Sequence, residues 1–198
     1  MALQEDVGLR VHSHPRSGTH WLKAVLNENF VHAENYYDVY WNKPEHGFPD
    51  RYNEWEADLK RLYIFRQFAG VAQSFLKPPM RAKYGLDDIS VEEFGSTPWN
   101  ELSNVGGTWE GVWEGSVVKG SVLEDNGFAL ETRTPYEFWN DHVSEWLVRA
   151  TERSDLYVVS YEDLQNEFQI EMEGIAAFLG KPTDAEFAEV TRQVGWSS

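Results

Sequence analysis

The stretch Leu9–Leu22 constrains the fold of this chain more than any other. Leu9-Arg10-Val11-His12 is a short strand-like run, and Ser13-His14-Pro15-Arg16-Ser17-Gly18 is a tight turn. Trp21, Leu22, Val25, Leu26 and Phe30 then recur at helical spacing. A strand (Leu9–His12), a loop and a helix (Thr19–Phe30) in direct succession are the opening of an α/β unit. The same junction has the geometry of an anion cradle: unpaired N–H groups and the positive end of the helix dipole meet at the loop. Ser17 and Thr19 add hydroxyl donors, and Arg16 adds a fixed, forked cation. An ordinary strand–helix turn with a Ser or Thr cap has the same composition. The loop also lacks the two spaced glycines and the Lys of the Walker pattern.

A second junction of this kind follows. Residues Val31–Glu56 are aromatic and turn-rich, with two prolines and a Gly between Asn42 and Asp50. Leu62-Tyr63-Ile64-Phe65 is then an apolar run suited to a buried parallel strand, and it ends at Arg66. Gln67–Phe75 reads as the turn and helix after it. An Arg at the carboxyl end of a parallel strand lies on the edge where open α/β sheets bind ligands. Gly95–Arg133 is rich in Gly and Trp and reads as an elaborated loop or small hairpin inserted into a single domain spanning residues 1–198. Thr134-Pro135-Tyr136-Glu137 opens a helix with a capping box and Pro at its first position. Asp155–Ser160 is another strand, running into Tyr161-Glu162-Asp163-Leu164. The helix carrying Phe168, Ile175, Phe178 and Leu179 stops at Gly180-Lys181-Pro182. Thr183 and Glu186 predict one more helix by the same capping logic. The order implies a mainly parallel central sheet with helices on both faces.

Composition narrows the function classes. At 198 residues the chain can bury a substantial core. A formal net charge of −16 argues against non-specific nucleic-acid binding, so any anion site must be built from a few local cations and backbone dipoles. With no Cys there are no disulfides or thiolate metal sites. No apolar run approaches a membrane span, and the N-terminus carries Glu5 and Asp6 where a signal peptide would be basic, which makes a cytoplasmic location the expectation.

Two cationic loops after two strands suggest a ligand with two separated acidic groups. Here the residues resemble a known family. Pro15-Arg16-Ser17-Gly18-Thr19-His20-Trp21 is similar to the 5′-phosphosulfate loop, PKSGTTW, of the PAPS-dependent sulfotransferases. Arg66 and Ser74, eight apart with Val71-Ala72 between them, resemble that family's 3′-phosphate motif. Phe138–Leu147, Leu156–Leu164 with its YEDL ending, and Phe178-Leu179-Gly180-Lys181 resemble later family segments, in family order.

The resemblance implies a P-loop-like sulfotransferase fold and an enzyme that transfers a sulfuryl group from PAPS to a hydroxyl or amine of a small-molecule or glycan acceptor. PAP would be the product, and no metal or nucleic acid would be involved. It further implies that Ser17, Gly18 and Thr19 hold the 5′-phosphosulfate, with His20 beside them in the loop. Arg16 would stand by the leaving oxygen where cytosolic members have Lys, and Arg66 and Ser74 would take the 3′-phosphate. Trp21, Tyr161 and Trp196 would surround the adenine. His46, in Lys43–Pro49 and twenty residues before Arg66, matches the position of the family's general base, with His20 and His14 as rivals. The family usually continues into a C-terminal Arg-Lys-Gly loop over the 3′-phosphate, and this sequence stops before such residues: either the sequence is shortened, or a compact variant closes the site differently, with Lys77, Arg81 or Lys83. A P-loop kinase-like nucleotide-binding protein and a PAP-binding protein without turnover are the alternative readings.

Overall fold

A computed structural model describes residues 8–30, 48–49, 59–78, 81–82, 86, 88–102 and 133–191. Among the described residues, three parallel strands form a sheet in the order β1 (Gly8–Ser13), β2 (Leu59–Phe65), β3 (Leu156–Ser160). The register pairs Ser13 with Ile64 and Phe65 with Ser160, which sets the carboxyl ends of all three strands side by side. The helices are α1 (Thr19–Asn29), α2 (Phe68–Phe75), α3 (Val91–Ser96), the short α4 (Trp99–Leu102), α5 (Pro135–Glu152), α6 (Tyr161–Asn166) and α7 (Phe168–Leu179).

Strand alternation explains how both faces are covered. Leu62 and Ile64 of β2 and Val159 of β3 point to one face, where Leu22, Val25 and Leu26 of α1 meet Met172 and Ile175 of α7. Tyr63 and Leu156 point the other way, onto Trp146 of α5. The Tyr63 and Trp146 rings stack with centroids 4.9 Å apart. A third apolar cluster joins Val71 and Phe75 of α2 to Phe94, Trp99, Leu102 and Phe138.

Local signals set most helix ends. Thr134 and Glu137 exchange the two bonds of a capping box, 2.9 and 3.1 Å, and Pro135 opens α5. Gly180, in the left-handed region at φ 72°, ends α7 while Gly180 and Lys181 return N–H bonds to Ala177 and Ala176. The strand after the second turn-rich region begins at Leu59, three residues before the apolar run.

Two expectations change. The helix predicted from Thr183 does not form: residues 181–191 carry no helix. Side-chain amides take up the backbone there instead. Gln169 donates to Phe187 O at 2.7 Å and accepts from Phe187 N at 3.1 Å, while Asn29 does the same with Ala188 at 2.9 and 2.6 Å. Gly95–Leu102, placed in the insert, belongs instead to α3 and α4, and Phe94, Trp99 and Leu102 are core residues. Trp99 N donates to Arg133 O at 3.0 Å, so the chain before and after residues 103–132 is joined directly. Residues 103–132 lie outside the described residues.

Candidate active site

The first loop is built for an open helix mouth. Arg16 at φ 69° and Gly18 at φ 96° are both left-handed, and Ser17 N donates to His14 O at 3.2 Å across the turn. Such a backbone costs a non-Gly residue about 1–2 kcal/mol, so Arg16 is held there by its surroundings. Gly18 is required twice over. Its φ suits Gly, and a Cβ there would lie 2.5 Å from the Tyr161 ring. Gly18 also stands at the N-cap of α1 and offers no side-chain acceptor to the helix. Thr19, which could have closed the loop over itself, is turned inward: its Oγ1 is 2.5 Å from Ser13 Oγ. Ser17 Oγ is buried with no hydrogen-bond partner. A buried, unpartnered hydroxyl beside an uncapped helix start is what an absent anion would satisfy.

Arg16 then reaches the helix of the second junction. Its Nε donates to Ser74 Oγ at 3.0 Å, linking residues far apart in sequence. Arg66, at the end of β2, lies with its guanidinium carbon 4.4 Å from the Tyr161 ring centre. Its Nε sits so close over α2 that a Cβ on Gly70 would be 2.5 Å away. Trp139 Nε1 donates to Arg66 O at 2.9 Å and fixes the main chain at that point. Arg16, Ser17, Gly18, Thr19, Arg66, Ser74 and Tyr161 are therefore brought together at one edge of the sheet.

Trp21 is edge-on to Tyr161 at 5.3 Å, and its Nε1 donates to Val190 O at 3.0 Å. It thus holds the 181–191 segment against α1. Tyr161 carries Arg66 on its ring. Trp196 and His46 lie outside the described residues, as does Lys83. Arg81 donates to Ile89 O at 3.1 Å, before α3, and Lys77 is exposed.

Of the rival histidines, His20 lies in the first turn of α1, where partial burial of its ring, then Lys23 and Arg16, hold its pKa below the ordinary 6.5. His14 is buried behind the loop. Its Nδ1 is 2.8 Å from Pro15 O, and because a carbonyl only accepts, the ring proton is on Nδ1. Sequence reasoning missed three neighbours. His142 is fully buried, with its ring 5.5 Å from that of His14 and its Nδ1 2.8 Å from Tyr63 Oη. Burial pushes the Tyr63 phenol well above its ordinary value, so it keeps its proton and can donate. Phe48 packs on His142 at 5.0 Å. The third is Glu162, whose carboxylate is 3.9 Å from Arg66 Nε and 3.3 Å from Gln67 N.

Fold and site define an α/β protein with paired cationic loops at the carboxyl edge of a parallel sheet. The sulfotransferase domain family matches residues 44–194, and the chain belongs to that family. The match begins after the Pro15–Trp21 loop, whose reading therefore rests on its motif and geometry. Mouse sulfotransferase 1B1 is 29% identical over 132 residues, covering 67% of this chain and 33% of that protein. Mouse sulfotransferase SULT7A1, solved with PAP, is similar at 20% identity and TM-score 0.44, covering 91% of this chain and 60% of that one. Retinol dehydratase, solved with retinol and PAP, gives 18% identity and TM-score 0.47, with 91% and 62% covered. The chain spans about a third of the curated relative's length. Among the described residues no helix is long and apolar enough to cross a membrane, and no group of three His, Asp or Glu is placed to hold a metal ion.

Proposed function

We propose that this protein binds PAPS and transfers its sulfuryl group to a hydroxyl or amine of a small-molecule or glycan acceptor by in-line displacement. The observation that carries this reading is the Arg16–Ser74 hydrogen bond, 3.0 Å, which ties the loop after β1 to the helix after β2. A ligand with phosphates at two positions of one nucleoside is matched by two cationic strand ends held at a fixed separation. The unpartnered Ser17 hydroxyl and the uncapped start of α1 support the 5′ side, and Arg66 with Ser74 the 3′ side.

PAPS supplies the activated sulfuryl group on its 5′-phosphate. In this reading the chain's own contribution is electrostatic and positional. Arg16 stands where negative charge grows on the leaving oxygen and, always protonated, steadies it as a fixed cation. The left-handed turn at Arg16 and Gly18 leaves the start of α1 uncapped, open to the same anion. His46 is assigned the acceptor's proton, a role that suits an imidazole near neutral pH. The burial of Phe48, two positions further along the chain, against His142 supports an acceptor side next to this face of the loop.

Calorimetry with PAP tests the reading first. Micromolar binding that weakens about thirtyfold in Arg66→Ala is the expected result, and no binding by the unmodified chain would overturn it. Turnover with labelled PAPS across a panel of acceptors then separates an enzyme from a binding protein. His46→Ala should abolish that turnover while leaving PAP affinity intact.

A further inference from the structure

We propose that Glu162 is an internal anion that competes with the 3′-phosphate for Arg66, so that the protein holds 3′-phosphorylated nucleotides less tightly than its cations alone would allow. This rests on the reading above, that the chain binds PAPS and PAP. Sheet register creates the contact: Phe65 pairs with Ser160, so the residues that follow, Arg66-Gln67 and Tyr161-Glu162, leave the sheet side by side. The Glu162 carboxylate takes the N–H of Gln67, the N-cap of α2, with both oxygens at 3.3 Å, and faces Arg66 Nε at 3.9 Å. It occupies the ground an incoming anion would seek, the start of a helix beside a guanidinium.

A supporting role for Glu162 is the rival account, and the geometry disfavours it. Arg66 is positioned without Glu162: the Tyr161 ring lies under its guanidinium at 4.4 Å, Gly70 gives it room over α2, and Trp139 holds its carbonyl at 2.9 Å. No hydrogen bond joins Glu162 to Arg66 Nε, and both side chains are about one-quarter exposed (26% and 22%), a setting in which an ion pair contributes little to stability. What Glu162 does contribute is a negative charge a few ångströms from the place where a phosphate dianion must settle. The consequence for turnover is a product that leaves more readily, because PAP and PAPS share the 3′-phosphate.

The test is calorimetric titration of the unmodified chain and of Glu162→Gln with two probes, PAP and adenosine 5′-monophosphate, which lacks the 3′-phosphate. Gln keeps the size and the acceptor for Gln67 N–H and removes only the charge. Relief of one unit of repulsion at this partly exposed site should tighten PAP about fivefold and leave adenosine 5′-monophosphate unchanged. Weaker PAP binding would make Glu162 a support for Arg66 and overturn the proposal. An unchanged PAP affinity, or equal tightening of both probes, would overturn it as well. Failure of the unmodified chain to bind PAP is a different result, and it removes the underlying reading along with the proposal. Equal thermal midpoints for the two proteins verify that the substitution leaves the fold alone.

Discussion

Strands β1 and β3 run parallel in one sheet and each hands the chain directly to a helix, yet the two junctions are built in opposite ways. After β3, Ser160 accepts from Asp163 N at 3.2 Å, with Glu162 and Asp163 in the first turn of α6. That helix start is closed by its own side chains. After β1, Gly18 stands at the same position with no side chain to offer, Thr19 is turned back onto Ser13, and Ser17 Oγ is buried without a partner. The closed junction is the more stable design and the open one is the useful one. With Gly at the N-cap, a helix mouth left uncapped forgoes only about a few tenths of a kcal/mol, a cost that makes sense where an anion completes the cap.

The largest effect is expected from closing the space that the open junction depends on. Gly18→Ala puts a Cβ 2.5 Å from the Tyr161 ring at a backbone φ of 96°. Left-handed strain and overpacking together should lower stability by about 3 kcal/mol, read as a shift in the urea midpoint. A midpoint within error of the unmodified chain would mean that Tyr161 moves freely. Next comes Arg66→Ala, which removes charge-assisted bonds worth about 2 kcal/mol and should weaken PAP by about thirtyfold, with adenosine 5′-monophosphate little affected. An equal loss for both nucleotides would place Arg66 elsewhere than on the 3′ side.

Smaller changes separate the two junctions more finely. Ser17→Ala deletes a hydroxyl that has no partner, so the ligand-free protein should melt at the same temperature or slightly higher. The rise in melting temperature that PAP confers should shrink by the equivalent of about 1 kcal/mol. Ser160→Ala, at the closed junction, should show the reverse pattern, losing about 1 kcal/mol of stability with PAP affinity unchanged. The smallest signal is His20, held below 6.5 by burial, Lys23 and Arg16. A bound phosphate offsets those cations, so the His20 proton resonance should titrate at higher pH with PAP present. In the free protein this depressed value favours folding less as pH falls below 6.5, since the unfolded chain then takes up the proton first.

Much of this architecture was legible because the signals were local. Short apolar runs marked the strands, Thr134 with Glu137 marked the start of α5, and Gly180 marked the end of α7. As a pair, Arg66 and Ser74 stand out in the sequence only through their resemblance to a family motif, and the structure sets Arg16 Nε 3.0 Å from Ser74 Oγ. The helix expected from Thr183 failed because its capping signal was outcompeted by Gln169 and Asn29, two amides far away in sequence that pair with the backbone of Phe187 and Ala188. The hydrogen bond from Trp21 to Val190 O has no local signal for a related reason: it exists only because the tail is drawn across α1. Glu162 carried no signal of its own. Its opposition to Arg66 follows from strand register, which sequence order does not reveal.

The bond from Trp99 N to Arg133 O has a consequence for engineering. Because the two sides of the 103–132 connection are already fastened to each other, the rest of the domain does not depend on that connection to hold them together. The clasp is a graft point: exchanging what lies between those residues should leave the cradle at Arg16–Gly18 with its shape, read as an unchanged affinity for PAP.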